Sequence, residues 1–161
     1  RRFVEIVDSI KPKLFLMENV EGILTLNHGK TYDSIVNCFK DIGYHVEGFK
    51  LLAAEYGVPQ KRNRVFIYGI LNSINLSPVN LLPEKHFMEE NPQMSLLASI
   101  NNKQNFITVR EAISDLPKIK MNGGTPIMKS HIKGLSSYQM LMKEIIDFDE
   151  FIMLRNIEFN S

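Results

Sequence analysis

The chain has 161 residues, 44% of them hydrophobic and 23% charged, which is length and apolar content enough for one domain with a core and excludes a chain disordered throughout. A formal net charge of +1 excludes a global field that would advertise a polyanionic partner, so any nucleic-acid contact must come from locally placed Lys and Arg. One cysteine excludes an internal disulfide, and no apolar run has the length of a signal core or membrane span, which together point to a reducing cytosol.

The chain opens on Arg1-Arg2-Phe3 without a Met, already inside a helical pattern, and reads as though cut from something longer. Phe3, Val4, Ile6, Val7 and Ile10 recur at helical spacing and predict an amphipathic helix on a sheet, ended by Lys11-Pro12 because the residue before proline avoids helical angles. Residues 13–17 predict a buried strand that runs into Glu18-Asn19-Val20. Ligands of open α/β sheets lie beyond the carboxyl ends of strands, so Glu18 and Asn19 stand where chemistry is expected. A solvated strand end followed by a turn residue would look the same. A loop with Gly22, Asn27 and Gly29 leads to a helix over 31–42, with Ile35, Val36, Cys38, Phe39 and Ile42 on one face and Gly43 as a left-handed stop.

Residues 44–53 read as extended, Gly57-Val58-Pro59 punctuates them, and 64–70 form a compact apolar strand. The connection is too short for a helical crossover, so these two strands are expected to be antiparallel neighbours at the end of the sheet. Residues 72–105, rich in Asn, Ser and Pro, read as a boundary or long excursion. Thr108-Val109-Arg110-Glu111 spells a capping box for a helix carrying Ala112 and Ile113 that closes near Pro117. Residues 118–134 are loop-like. A last helix is expected from Ser136 through Tyr138, Leu141, Met142, Ile145 and Ile146, with Asp147, Asp149 and Glu150 as a solvated acidic end.

A second constellation is Gln60-Lys61-Arg62-Asn63-Arg64. Guanidiniums at alternate positions of an extended chain share a side, so Arg62 and Arg64 could converge on one phosphate or carbonyl while Lys61 faces the other way. A solvated basic corner is the plain alternative. What decides is order: Glu18-Asn19-Val20, then residues 53–66 with their Tyr56-Gly57-Val58-Pro59-Gln60-Lys61-Arg62-Asn63-Arg64 run, then Thr108-Val109-Arg110-Glu111-Ala112-Ile113-Ser114-Asp115-Leu116-Pro117.

In that order the sequence closely resembles the DNA (cytosine-5) methyltransferases, chiefly the bacterial enzymes of restriction-modification systems. The resemblance covers residues 1–70, resumes at 107–117 and continues weakly over 135–142. It implies an α/β fold, the C-terminal part of a Rossmann-like S-adenosylmethionine-dependent methyltransferase sheet plus the start of a target-recognition region. On this reading residues 1–70 belong to the catalytic domain, 71–105 to a linker or irregular excursion and 106–161 to the target-recognition region. Double-stranded DNA is the implied substrate and the bacterial cytoplasm the implied location.

The implied chemistry is base flipping, addition of a cysteine thiolate to carbon 6 of cytosine, and transfer of a methyl group from S-adenosylmethionine to carbon 5. Glu18 matches the family's glutamate, a carboxyl that shares a proton with ring nitrogen 3 and the exocyclic amine. Arg64 would contact the flipped base or its phosphate, Arg62 would brace the site, Lys61 would face phosphate, Gln60 would be structural, and Asn19 would hold the loop from behind. The family's Pro-Cys nucleophile loop and glycine-rich cofactor loop lie upstream of the matched stretch, and neither is among these residues. Cys38 does not replace the nucleophile, being downstream of Glu18 on an apolar helix face, where a buried structural thiol is expected. An internal fragment, inactive alone and completed by a missing N-terminal part or a complementary chain carrying the cysteine, is therefore expected.

Other features carry less. His28, His45, His86 and His131 show no ligand spacing, so no metal is expected. Lys118, Lys120, Lys129 and Lys133 fit DNA phosphates and a solvated loop equally. A non-catalytic DNA-binding or regulatory remnant of such an enzyme is the alternative, and survival of Glu18 and both arginines favours the enzyme. A relative acting on transfer RNA fits the residue 58–62 loop and the Thr108 helix less well.

Overall fold

The computed structural model describes residues 2–89, 104–119, 123 and 134–160. They form two compact units, one of residues up to 53 with 62–84, the other of residues 54–61 with those from 85 onward.

In the first unit α1 (Arg2–Ile10) leads to β1 (Leu14–Val20), a 3-10 turn (Glu21–Leu24), α2 (Lys30–Asp41), β2 (Tyr44–Leu52) and β3 (Asn63–Leu71). The sheet order is β1-β3-β2, with β3 antiparallel to both neighbours, so β1 and β2 run parallel and α2 is their crossover. The short connection does make β2 and β3 antiparallel neighbours, although β3 takes the centre and β2 the edge. Gly43 adopts φ +94° just after α2 and supplies the left-handed stop.

Val7 of α1, Val36 and Phe39 of α2, and Phe15, Tyr44, Val46, Val65 and Ile67 of the strands form one core, which places both helices on the same face of the sheet. Its centre is aromatic: Phe15 lies 4.3 Å from Phe39 and 5.3 Å from Tyr44 between ring centroids. Phe15 pairs with Gly69 across β1 and β3, and its ring covers the space a side chain at Gly69 would need.

Two expectations change here. The predicted buried strand alternates instead, with Phe15 buried but Leu14, Leu16, Glu18 and Val20 exposed. β1 is an edge strand, and the helices cover only one of its faces. Cys38, expected to be buried, is exposed, because Val36 and Phe39 centre the inward stripe of α2 and Cys38 falls at its margin.

In the second unit, β4 (Phe87–Met88) and β5 (Gln104–Asn105) form a short parallel pair beside α3 (Val109–Ile113), α4 (Ser137–Met142) and α5 (Phe148–Asn160). Phe87, Ile107 and Phe151 are its core. The Thr108 capping box is complete, its hydroxyl accepting from the Glu111 amide and the Glu111 carboxylate accepting from the Thr108 amide.

The single helix expected from Ser136 is broken. Glu144 takes φ +57° after Met142, and α5 restarts at Phe148. The acidic residues read as a solvated end are its cap: the Glu150 amide donates to Asp147 Oδ1 at 2.8 Å and the Asp147 amide to Glu150 Oε2 at 3.1 Å. Arg155 of α5 reaches Glu111 with Nη1 and the Asn105 carbonyl with Nη2, tying the new helix to α3 and β5.

Candidate active site

The carboxyl end of β1 and the amino end of β3 meet at one edge of the first sheet, because the strands are antiparallel and Val20 pairs with Arg64. Glu18 and Arg64 therefore project from adjacent strands on the face away from the helices, two positions out of register. Arg64 Nε lies 2.7 Å from Glu18 Oε1. The Arg64 side chain is 20% exposed and that of Glu18 51% exposed, so the guanidinium is the anchored member and the carboxylate the one offered to solvent. A second nitrogen of the guanidinium, Nη1, donates to the Asn63 carbonyl at 2.8 Å and fixes its rotamer. Among the described residues Glu18 has no further partner.

Behind the pair, Asn19 Oδ1 accepts from the Val20 amide at 2.8 Å. Glu21, first residue of the 3-10 turn, is ion-paired with Lys50 of β2. The Lys50 hydrogen bond leads the causes that hold the Glu21 carboxyl below its ordinary range. This link from the end of β1 to β2 was not foreseen from the sequence, where Glu21 and Lys50 share no spacing.

The remaining expected site residues make other contacts. Arg62 precedes β3 and is exposed; its carbonyl accepts from the Ala53 amide at 2.9 Å, and its side chain has no partner among the described residues. Gln60 and Lys61 belong to the second unit, where Lys61 pairs with Glu89 and lies 5.9 Å from the Phe106 ring centroid. Gln60 is exposed, and its backbone amide donates to the Val58 carbonyl at 2.7 Å. Lys118 is exposed, while Lys120, Lys129, Lys133 and His131 lie outside the described residues. Among the described residues no three His, Cys, Asp or Glu groups converge as a metal site, and no helix is long and apolar enough to cross a membrane.

The loop after β1 closes at once into the 3-10 turn, and a side chain at Gly22 would meet nothing within 4 Å.

The Glu18 carboxylate, held by a guanidinium from the neighbouring strand and open to solvent, stands at the carboxyl end of a strand, where open α/β sheets place their ligands. The chain belongs to the C-5 cytosine-specific DNA methylase family, whose model matches residues 2–156. It is 33% identical over 156 residues to the type II methyltransferase M.Bpa9945I of Bacillus paralicheniformis, covering 88% of this chain and 32% of that protein. It is 40% identical over 118 residues to the type II methyltransferase M.MthTI of Methanothermobacter thermautotrophicus, covering 73% of this chain and 30% of that protein. The crystal structure of a DNA modification methyltransferase encoded within an E. coli prophage aligns with a TM-score of 0.54 at 25% identity, over 86% of this chain and 37% of the other. The chain thus spans about a third of the length of these relatives. The resemblance to restriction-modification cytosine-5 methyltransferases and the methyltransferase-type α/β fold are both borne out.

Proposed function

We propose that these residues form the part of a DNA (cytosine-5) methyltransferase that neutralises charge on the target base, with Glu18 as proton donor and Arg64 as its electrostatic partner. The observation that carries the reading is the Glu18–Arg64 pair, with one carboxylate oxygen held at 2.7 Å and the side chain half open to solvent.

Carbon 5 of cytosine is a poor nucleophile until a thiolate adds at carbon 6 and pushes electron density into the ring. That density accumulates at nitrogen 3. The Glu18 carboxyl, facing nitrogen 3, shares a proton with it, and the charge left on the carboxylate lies opposite Arg64. A guanidinium already in place favours that developing negative charge without having to reorganise. The base must leave the duplex to reach such a site, so flipping is part of the reading. S-adenosylmethionine supplies the methyl group when bound to the enzyme, and its cradle and the thiolate come from outside this chain. On this reading the 161 residues do not methylate DNA alone, residues 106–161 begin the target-recognition region, and the enzyme works on duplex DNA in the cytoplasm.

The test is Glu18→Gln in the enzyme reconstituted with its cysteine-bearing part, assayed by transfer of labelled methyl groups to DNA. The glutamine keeps the shape but carries no carboxyl proton, so turnover should fall by about 10²- to 10⁴-fold while DNA binding persists. Near-normal turnover would refute the assignment.

A further inference from the structure

Glu18 and Arg64 are not held by each other alone. Arg64 Nε holds Glu18, its Nη1 donates to the carbonyl of Asn63 at 2.8 Å, and three residues along the chain from Glu18 the Glu21 carboxylate pairs with Lys50. β1 and β2 do not pair, since β3 lies between them, and two ladder spacings amount to roughly 9–10 Å. The Lys50–Glu21 ion pair spans that gap at the carboxyl edge, so the turn beginning at Glu21 is fastened to β2 through Lys50.

We infer that Glu21 and Lys50 are positioning residues for the proposed proton donor, clamping the end of β1 so that Glu18 meets the base at a fixed distance from Arg64. The inference rests on the proposed function of Glu18. Glu21 itself is turned toward Lys50, and so acts through Glu18 and Arg64, without touching substrate. Both members of the clamp are nearly half exposed, so its loss should leave the fold standing. Its effect is geometric: a displacement of about 1 Å at a reacting group can cost up to about a hundredfold in rate.

The experiment uses the reconstituted enzyme carrying Glu21→Gln, Lys50→Met, Lys50→Arg, or the exchanged pair Glu21→Lys with Lys50→Glu. Single-turnover methylation and DNA affinity are measured separately, with circular dichroism as the check on folding. Glu21→Gln and Lys50→Met should each slow the chemical step about tenfold and leave DNA affinity within about twofold. Lys50→Arg should keep most of the rate, and the exchanged pair should recover part of it. Unchanged rates in both single variants, or a loss confined to DNA affinity, would overturn the inference. If Glu18→Gln is inactive while the clamp variants are normal, only the clamp fails. If Glu18→Gln is active, the reading of the donor fails with it.

Discussion

Replacing Gly69 by Ala tests the pairing on which the site depends. A Cβ built on Gly69 would lie 2.7 Å from Phe15 Cδ1 and nearer still to Cε1 and Cζ, against an ordinary contact of about 3.4–4 Å. Gly69 has no positive φ, so the backbone accepts alanine and the cost is the collision alone. The Phe15 ring has nowhere to retreat. Phe39 stands 4.3 Å away, Tyr44 5.3 Å and Phe3 6.0 Å between centroids. Either the ring leaves its rotamer or β1 shifts from β3, and with the cluster closed on three sides the penalty should reach about 3 kcal/mol, the upper end of ordinary overpacking. With a denaturant slope of about 1.5 kcal/mol per molar urea, the unfolding midpoint of the first unit should drop by about 2 M. Circular dichroism during urea titration reads this directly. Gly22→Ala is the control, since nothing lies within 4 Å, and it should change stability by less than about 1 kcal/mol. Adding Phe15→Leu to Gly69→Ala should recover part of the loss, because contacting residues are not additive. A Gly69→Ala chain within about 0.5 kcal/mol of the parent would refute this account of the core.

The two arginines should separate by salt dependence. Arg62→Ala should weaken DNA binding and lower the salt slope by about one, as expected of a phosphate contact, whereas Arg64→Ala should slow methyl transfer with the slope unchanged; equal effects on the slope would refute that division. In the second unit, burial pushes the Glu111 carboxyl up, but the Thr108 amide, the Arg155 guanidinium and the Thr108 hydroxyl outweigh it and hold it below the ordinary 4.5. A depressed value in the folded chain means that the unfolded chain binds the extra proton first. The stability Glu111 contributes is therefore present above about pH 4.5 and is lost as pH falls through its folded value. Arg155→Met should reduce this acid-side loss, the Thr108 contacts remaining, and destabilise the unit by about 1–3 kcal/mol, less than a fully buried pair because Glu111 keeps 28% exposure. An acid titration monitored by circular dichroism that is superimposable for both proteins would count against it.

Most of the first unit was legible because its signals are local. The 3.6-residue spacing in α2, the Gly43 stop and the apolar run of β3 each specify their element within a dozen residues. Burial was less legible. Leu14 and Leu16 read as core by composition, yet which face of an edge strand is covered depends on helices and neighbours that no local pattern encodes. Asp147 and Glu150 are exposed, as a solvated acidic end should be, but their capping role was not legible, because only the left-handed turn at Glu144 shows that a new helix begins there. Arg155, buried in the second unit against Glu111 and Asn105, looks in sequence like any exposed helical arginine. Of the proposed site, Glu18 and Arg64 were readable from their motifs, whereas the Glu21–Lys50 pair was not, since that meeting is a property of strand order.

Strand order also explains why residues so far apart in the chain form one site. A helical crossover returns β2 parallel to β1, so the carboxyl ends of both strands reach the same edge of the sheet. The short connection that follows can only turn the chain back, and β3 inserts between them in the opposite sense. Its first residues, Asn63 and Arg64, must then lie where β1 and β2 end. Had β3 been parallel, Arg64 would open the opposite edge and Glu18 would face solvent alone. The basic loop thus acquires its place beside Glu18 from the antiparallel insertion, and the same insertion opens the gap between β1 and β2 that Glu21 and Lys50 span. The proposed donor, its guanidinium and the proposed clamp are consequences of one topological choice, so a change that shifts β3 in register by two residues would dismantle all three together while keeping every side chain on its original face.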